Sequence, residues 1–179
     1  MKSELTSRRV RRGLKRSRVL RRGCSYRAYE DDDLKWFWAA YRTGAFSGIL
    51  EGGLSQEAFT ENMLMTISAL LEKGGEFIVT EAVVAGQGVS PVGIFVVEFA
   101  DLSAWPGAHW FEWATKRNKL ECSVLFLRNL KREVMPMIVA EPELVPFYSH
   151  IARYGLLRRA GTIPNYRVNE KGIIFHGVV

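Results

Sequence analysis

Cysteine is nearly absent from this chain: there are two in 179 residues, Cys24 and Cys122. Two thiols make neither a disulfide framework nor a metal-ligand set, which excludes a cross-linked secreted scaffold and a zinc module. The three histidines, His109, His150 and His176, have no metal-like spacing either. Long hydrophobic runs are missing as well. Val92–Val97 is among the longest, far short of the roughly 20 apolar residues that cross a bilayer. No apolar stretch follows the N-terminal arginines, so no secretory signal is expected there. These absences predict a soluble, intracellular protein.

Acidic residues are scarce in one place in particular. Met1–Gly23 holds eight arginines and two lysines against the single Glu4, a net of +9. The whole chain carries +6, which leaves −3 on residues 24–179. The basic character therefore belongs to an arm, residues 1–23, attached to a mildly acidic body. Such an arm repels itself and has too few apolar residues to fold alone. Its candidate contacts are Arg8, Arg9, Arg11, Arg12, Lys15, Arg16, Arg18, Arg21 and Arg22. Nucleic acid, DNA first, is one partner for them and an acidic protein surface is another. A mitochondrial transit peptide and a solubility tail share the same composition.

What the body does have is apolar content, 47% of the chain with 12% aromatic, enough for one folded domain with a core. Cys24–Tyr29 alternates like a strand, and Glu30–Asp33 supplies an N-cap and acidic first turn for an aromatic helix over Leu34–Tyr41. Ser55 opens a second helix reaching Leu71, with Phe59, Met63, Ile67, Leu70 and Leu71 at helical spacing, and Gly74-Gly75 ends it. Glu76–Val84 and Pro91–Ala100 pair as a hairpin across Gly86–Ser90. Trp105-Pro106-Gly107 reads as a turn and His109–Thr115 as a strand. Arg117–Cys122 is then a loop, Ser123–Glu133 a helix, Pro136–Ala140 a strand and Glu143–Tyr154 a helix before Gly155. Arg167–Val168 and Gly172–Val178 close the chain as strands.

This order, and the segment from His109 to Gly161, resembles the GNAT superfamily of acetyl-CoA-dependent N-acyltransferases. The resemblance implies an α/β (α+β) fold over residues 24–179: a single domain with a central mixed, mostly antiparallel sheet flanked by helices, preceded by the basic arm. In that family the loop after the strand reads Arg/Gln-x-x-Gly-x-Gly/Ala, and its backbone amides cradle the CoA pyrophosphate. Leu120 and Cys122 occupy the two glycine positions on this register, with Glu121 between them. The family's tyrosine acid maps onto Ile151 and its asparagine onto Leu144, while Tyr148 lies one turn before Ile151. Glu112 lies on the strand that carries the general base in many of these enzymes. It is either such a base, its pKa raised beside Trp110 and Trp113, or an outward-facing strand residue.

Three departures from the pattern favour a non-catalytic structural or assembly protein that takes no cofactor. Its arm would contact nucleic acid or a neighbouring subunit. In this it resembles acetyltransferase-like proteins among the structural genes of tailed bacteriophages, which would place it in a virus particle. The aromatic cluster Trp105, Trp110, Phe111 and Trp113 offers anchors for assembly, with the Trp105 turn as the exposed contact. The alternative is an acyl-CoA-dependent N-acyltransferase. Lys116, Arg117 and Lys119 would then hold the phosphates of acetyl-CoA without a glycine nest, and Glu112 and Tyr148 would carry the chemistry. The arm generates a prediction of its own. About eight phosphate contacts give a log-log salt slope near −7 on B-DNA. A filter-binding titration against salt should return that slope for the full chain and no binding once residues 1–23 are removed. A flat salt dependence would rule out a phosphate-binding arm.

Overall fold

A computed structural model describes residues 23–46, 50–130, 132, 134–167 and 170–177. The predicted arm contacts from Arg8 to Arg22 lie outside these residues, as do Val168 and Val178. Strand β1 (Cys24–Ala28) follows Gly23, whose positive φ of 81° suits glycine. The acidic turn Asp31–Asp33 is a 3-10 segment closed by a capping box between Glu30 and Asp33, and it leads into helix α1 (Leu34–Tyr41). Helix α2 (Gln56–Glu72) starts where Ser55 Oγ accepts the Ala58 amide at 3.2 Å. It buries Phe59, Met63, Ile67 and Leu70, the stripe expected from their spacing. Gly75 has to be glycine, because a Cβ there would stand 2.8 Å from the Val97 carbonyl oxygen.

Strands β2 (Glu76–Val84) and β3 (Gly88–Ala100) form the hairpin, with pairing that extends to Gly88. Then follow β4 (Ser103–Trp110), helix α3 (Lys116–Leu130), β5 (Met135–Ala140), helix α4 (Val145–Ala152), β6 (Leu157–Arg167) and β7 (Glu170–Gly177). Among the described residues these strands make one seven-stranded sheet of order β1-β2-β3-β4-β5-β7-β6. All pairs are antiparallel except β4 with β5. The sheet has a core on each face. Phe37, Phe46, Phe59, Phe77, Ile94 and Phe111 pack on the α1–α2 face. Tyr26, Ile78, Phe95, Phe126, Ile151 and Phe175 pack on the α3–α4 face. Burial on both faces explains why β2 and β3 lack a clean polar alternation. No helix among the described residues is long and apolar enough to cross a membrane.

Three expectations change. Trp105-Pro106-Gly107 is not a turn: it lies within β4, where Trp105 pairs with Glu98, Pro106 with Val97 and Gly107 with Val96. The turn sits instead at Asp101-Leu102, with Asp101 at a φ of 50°. The strand placed over His109–Thr115 ends at Trp110, because the Ala114 amide folds back onto the Phe111 carbonyl at 3.0 Å. The closing strand placed at Arg167–Val168 begins ten residues earlier, at Leu157, where Leu156 and Leu157 enter the core.

One ionic cluster joins β1 to its surroundings. Arg27 makes a bidentate bond to Asp33, at 2.7 and 2.6 Å, and a third bond to Glu81 at 2.8 Å. Ser25 Oγ donates to the other Glu81 oxygen at 2.9 Å, and the Glu30 amide donates to Asp33 at 2.9 Å. Asp33 is buried, its side chain only 3% exposed. Removing one member of a buried pair leaves an uncompensated charge and costs about 3–5 kcal/mol. Arg27→Ala is therefore expected to lower the melting temperature by about 10 °C or more, at roughly 2–4 °C per kcal/mol for a domain of this size. A calorimetric melt within about 2 °C of the parent would show the cluster to be dispensable.

Candidate active site

The site is built around an interruption in the sheet. β4 pairs with β5 only at Ser103–Met135 and Ala104–Pro136, after which β5 turns to β7, pairing from Met137 to Ala140. From Trp105 to Trp110, β4 keeps its β3 neighbour and has an open edge on the other side. The Phe111 amide donates to the Val92 carbonyl at 3.0 Å, which fixes the phase of the β3–β4 ladder. By alternation, the polar groups of Pro106, Ala108 and Trp110 point away from β3 and into the opening. Pro106 has no N–H to offer, so it sits there without breaking a ladder bond. Ala108 and Trp110 present backbone donors and acceptors to the cleft.

Helix α3 begins beside the end of this strand. The segment Arg117–Cys122 is helical rather than a loop, because the N-cap is Thr115. Its Oγ accepts the Asn118 amide at 3.1 Å, and Asn118 Oδ1 accepts the Thr115 amide at 3.1 Å. The Lys119 amide reaches the Thr115 carbonyl at 3.0 Å. That leaves the amides of Lys116 and Arg117 at the positive end of a 15-residue helix. The positions read as lost glycines are thus two helical turns into α3. Cys122 is 1% exposed and buried with Cys24, Ala82, Val92 and Ala114. Leu120 packs partly buried against the α3–α4 core. Cys122 thus faces the core, while Leu120 lies on the same helix face as Arg117.

A groove of about 630 Å³ runs along the outer face of α3, lined by Arg117, Leu120, Glu121, Val124, Leu125 and Arg128, with Tyr154 beyond α4 closing it. The lining residues follow an i, i+3, i+4, i+7 stripe, so one helix face makes the wall. Arg117 is exposed and held by Glu121 at 2.8 Å. Of the three cations expected to bind phosphate, Arg117 reaches the groove. Lys116 is the exposed first residue of α3, and Lys119 is half-buried one turn along, outside the lining. Glu112 does not join them: it is exposed on the turn after β4, not held in a strand between Trp110 and Trp113.

Two ionisable side chains do lie near the opening. Tyr148 on α4 is half-buried, its ring 5.9 Å from Phe175 and 5.3 Å from Phe147, within the cluster that includes Ala108 and Trp110. Burial pushes its phenol up to about 12. Ile151, the aligned position, is fully buried and has no proton chemistry. The other is His109, which the sequence reading considered only for metal spacing. It stands on β4 between Ala108 and Trp110 and faces the α1–α2 layer, 6.2 Å from the Phe46 ring. Burial lowers its pKa from 6.5, so it is a neutral imidazole at pH 7. Its position on a strand beside an open edge was the available signal. It was obscured while His109 was taken as the start of a strand rather than the end of one.

No protein-family model matches the sequence, and no curated protein sequence does. Solved structures do match. RimL, a ribosomal α-N-protein acetyltransferase in complex with coenzyme A, superposes with a TM-score of 0.70 over 91% of this chain and 98% of its own, at 9% identity. The spermidine N-acetyltransferase of Vibrio cholerae in complex with CoA and spermine gives 0.65 over 87% and 95%, at 12% identity. The ribosomal-protein-alanine N-acetyltransferase of Brucella melitensis gives 0.59 over 86% and 99%, at 15% identity. At such identities the likeness is one of fold: the chain has the GNAT fold.

Proposed function

We propose that the protein is an acyl-CoA-dependent N-acyltransferase acting on a primary amine. The observation that carries this reading is the open edge of β4 beside the unclaimed amides at the start of α3. The expectation of a cofactor-free assembly protein rested on three departures, at the loop positions Leu120 and Cys122, at Ile151 and at Leu144, and with Cys122 in the core and Leu120 on the helix wall the first of them loses its force. The virion role loses its main support with it. Several structures of the same fold are named as enzymes that acetylate amines, which favours the same chemistry here.

The available groups fit acyl-CoA. The amides of Lys116 and Arg117, the helix dipole and the Arg117 guanidinium would hold the pyrophosphate. The Ala108 and Trp110 backbone would pair with the amides of the pantetheine arm as a neighbouring strand would. Bound acyl-CoA supplies a thioester-activated acyl group. His109, neutral and on the opposite face of β4, would take the proton from the attacking amine at an imidazole nitrogen. The Tyr148 hydroxyl keeps its proton at pH 7 and would give it to the departing sulfur. Cofactor and acceptor would thus meet across one strand, entering from the two helix layers.

Acetyl-CoA at about 100 times its Kd should add about 2.7 kcal/mol of stability. In a thermal melt this is a rise of roughly 5–10 °C for a domain of this size, and Arg117→Glu should remove most of it. No shift with the parent protein would sink the reading. His109→Ala should keep that thermal shift and lose about 10²–10⁴-fold in kcat. Because burial lowers the pKa of His109, the base is already deprotonated at neutral pH, and kcat/KM should fall only as pH drops through a value below 6.5. An acid limb in kcat that is unchanged in His109→Gln would assign the base elsewhere.

A further inference from the structure

The chemistry above leaves both cysteines unused, yet the fold brings them together from distant parts of the sequence. Cys24 is the first residue of β1 and pairs with Ala82 on β2. Cys122 lies in the second turn of α3, its thiol 3.8 Å from the carbonyl of Glu81, one residue along the same strand. Both side chains belong to one small cluster with Ala82, Val92 and Ala114. The Cys24 thiol also lies 3.7 Å from Glu121, the partner of Arg117 in the groove. The two thiols therefore share one small buried cluster where β1 and β2 meet the second turn of α3.

We propose that Cys24 and Cys122 are a reversible thiol–disulfide pair that ties the cofactor end of α3 to β1. The two thiols differ in character. The neighbouring Cys122 thiol, with a smaller effect from Arg117, holds the Cys24 thiol below its ordinary value against burial and the Glu121 carboxylate, which push it up. The neighbouring Cys24 and burial push Cys122 well above its own. Cys24 begins an edge strand and Cys122 lies within a helix, so Cys24 takes the attacking role in this pair and Cys122 the resolving one. Access comes through Cys24, which begins an edge strand, where local opening is easiest.

With hydrogen peroxide as oxidant the step balances. The Cys24 thiolate attacks one peroxide oxygen, giving a sulfenic acid and hydroxide. The Cys122 sulfur then attacks the Cys24 sulfur, a sulfur–sulfur bond forms, the sulfur–oxygen bond breaks, and the oxygen leaves as water with the thiol proton. Two thiols and one peroxide give one disulfide and two waters. Bond formation requires the two sulfurs to close to about 2.05 Å.

The test uses the full chain, treated with hydrogen peroxide under native conditions, then denatured with a thiol-alkylating reagent. The expected result is loss of both alkylated sites with an intact mass lower by two hydrogens, both reversed by dithiothreitol. The oxidised protein should melt several degrees higher than the reduced one. In Cys122→Ser, a sulfenic-acid trap should label Cys24, and in Cys24→Ser it should label nothing. Recovery of both free thiols after peroxide, or disulfides only between chains, would overturn the proposal. The thiol count needs no folded variant and does not depend on acetyl-CoA binding, so it stands or falls apart from the acyltransferase reading.

Discussion

The parting of β4 from β5 is the constraint on which the rest of this molecule depends. Two parallel rungs, at Ser103 and Ala104, hold the halves of the sheet together, and then Pro106 offers no donor on the edge that faces β5. β5 meets its hydrogen-bonding needs with β7 instead. The opening therefore comes from backbone chemistry rather than from a missing side chain. Everything placed in the candidate site follows from it: the free edge at Ala108 and Trp110, the turn at Phe111 that brings Thr115 to the mouth, and the first amides of α3. A continuous seven-stranded sheet with the same helices would have a core and no site.

Helix α3 carries the functional argument, and its start is set by a pair of short polar side chains. Thr115 and Asn118 exchange bonds and fix the cap, so that Lys116 is the first helical residue. Moving that start to Ser123 turns Leu120 and Cys122 into loop residues and makes the site look blocked. With the cap at Thr115 the same two residues are core and groove wall. A shift of two helical turns thus reverses the inference about cofactor binding, although neither the residues nor the family comparison has changed.

The fold was largely legible because its signals are local. The Ser55 cap, the Phe59–Leu70 stripe and the hairpin around Gly86 each state their structure within a few residues, and α1 and α2 lie where the spacing put them. The site was less legible because it depends on pairing between distant segments. Nothing in Trp105-Pro106-Gly107 says that a third strand claims β5, so a proline and a glycine together looked like a turn. His109 was hidden for a similar reason: its worth depends on standing beside an open edge, which only the sheet order reveals. The Thr115–Asn118 cap, by contrast, was written in the sequence. It went unread because asparagine replaces the usual glutamate or glutamine of a capping box.

β1 shows how a short edge strand holds two layers at once. Its five residues alternate, so Ser25 and Arg27 work on one side and Cys24 and Tyr26 on the other. Arg27 gathers Asp33 beneath α1 and Glu81 on β2, while Tyr26 packs edge-on to Phe126 of α3 at 5.5 Å and Cys24 shares a buried cluster with Cys122. A charged residue on an exposed edge also discourages further strand pairing. The same strand directly follows the basic arm in sequence. β1 positions α1 through an ion cluster and α3 through the packing of Tyr26 on Phe126. Glu81 takes part in both layers, through its carboxylate to Arg27 and its carbonyl to Cys122, so β1, β2 and the second turn of α3 are joined at one residue.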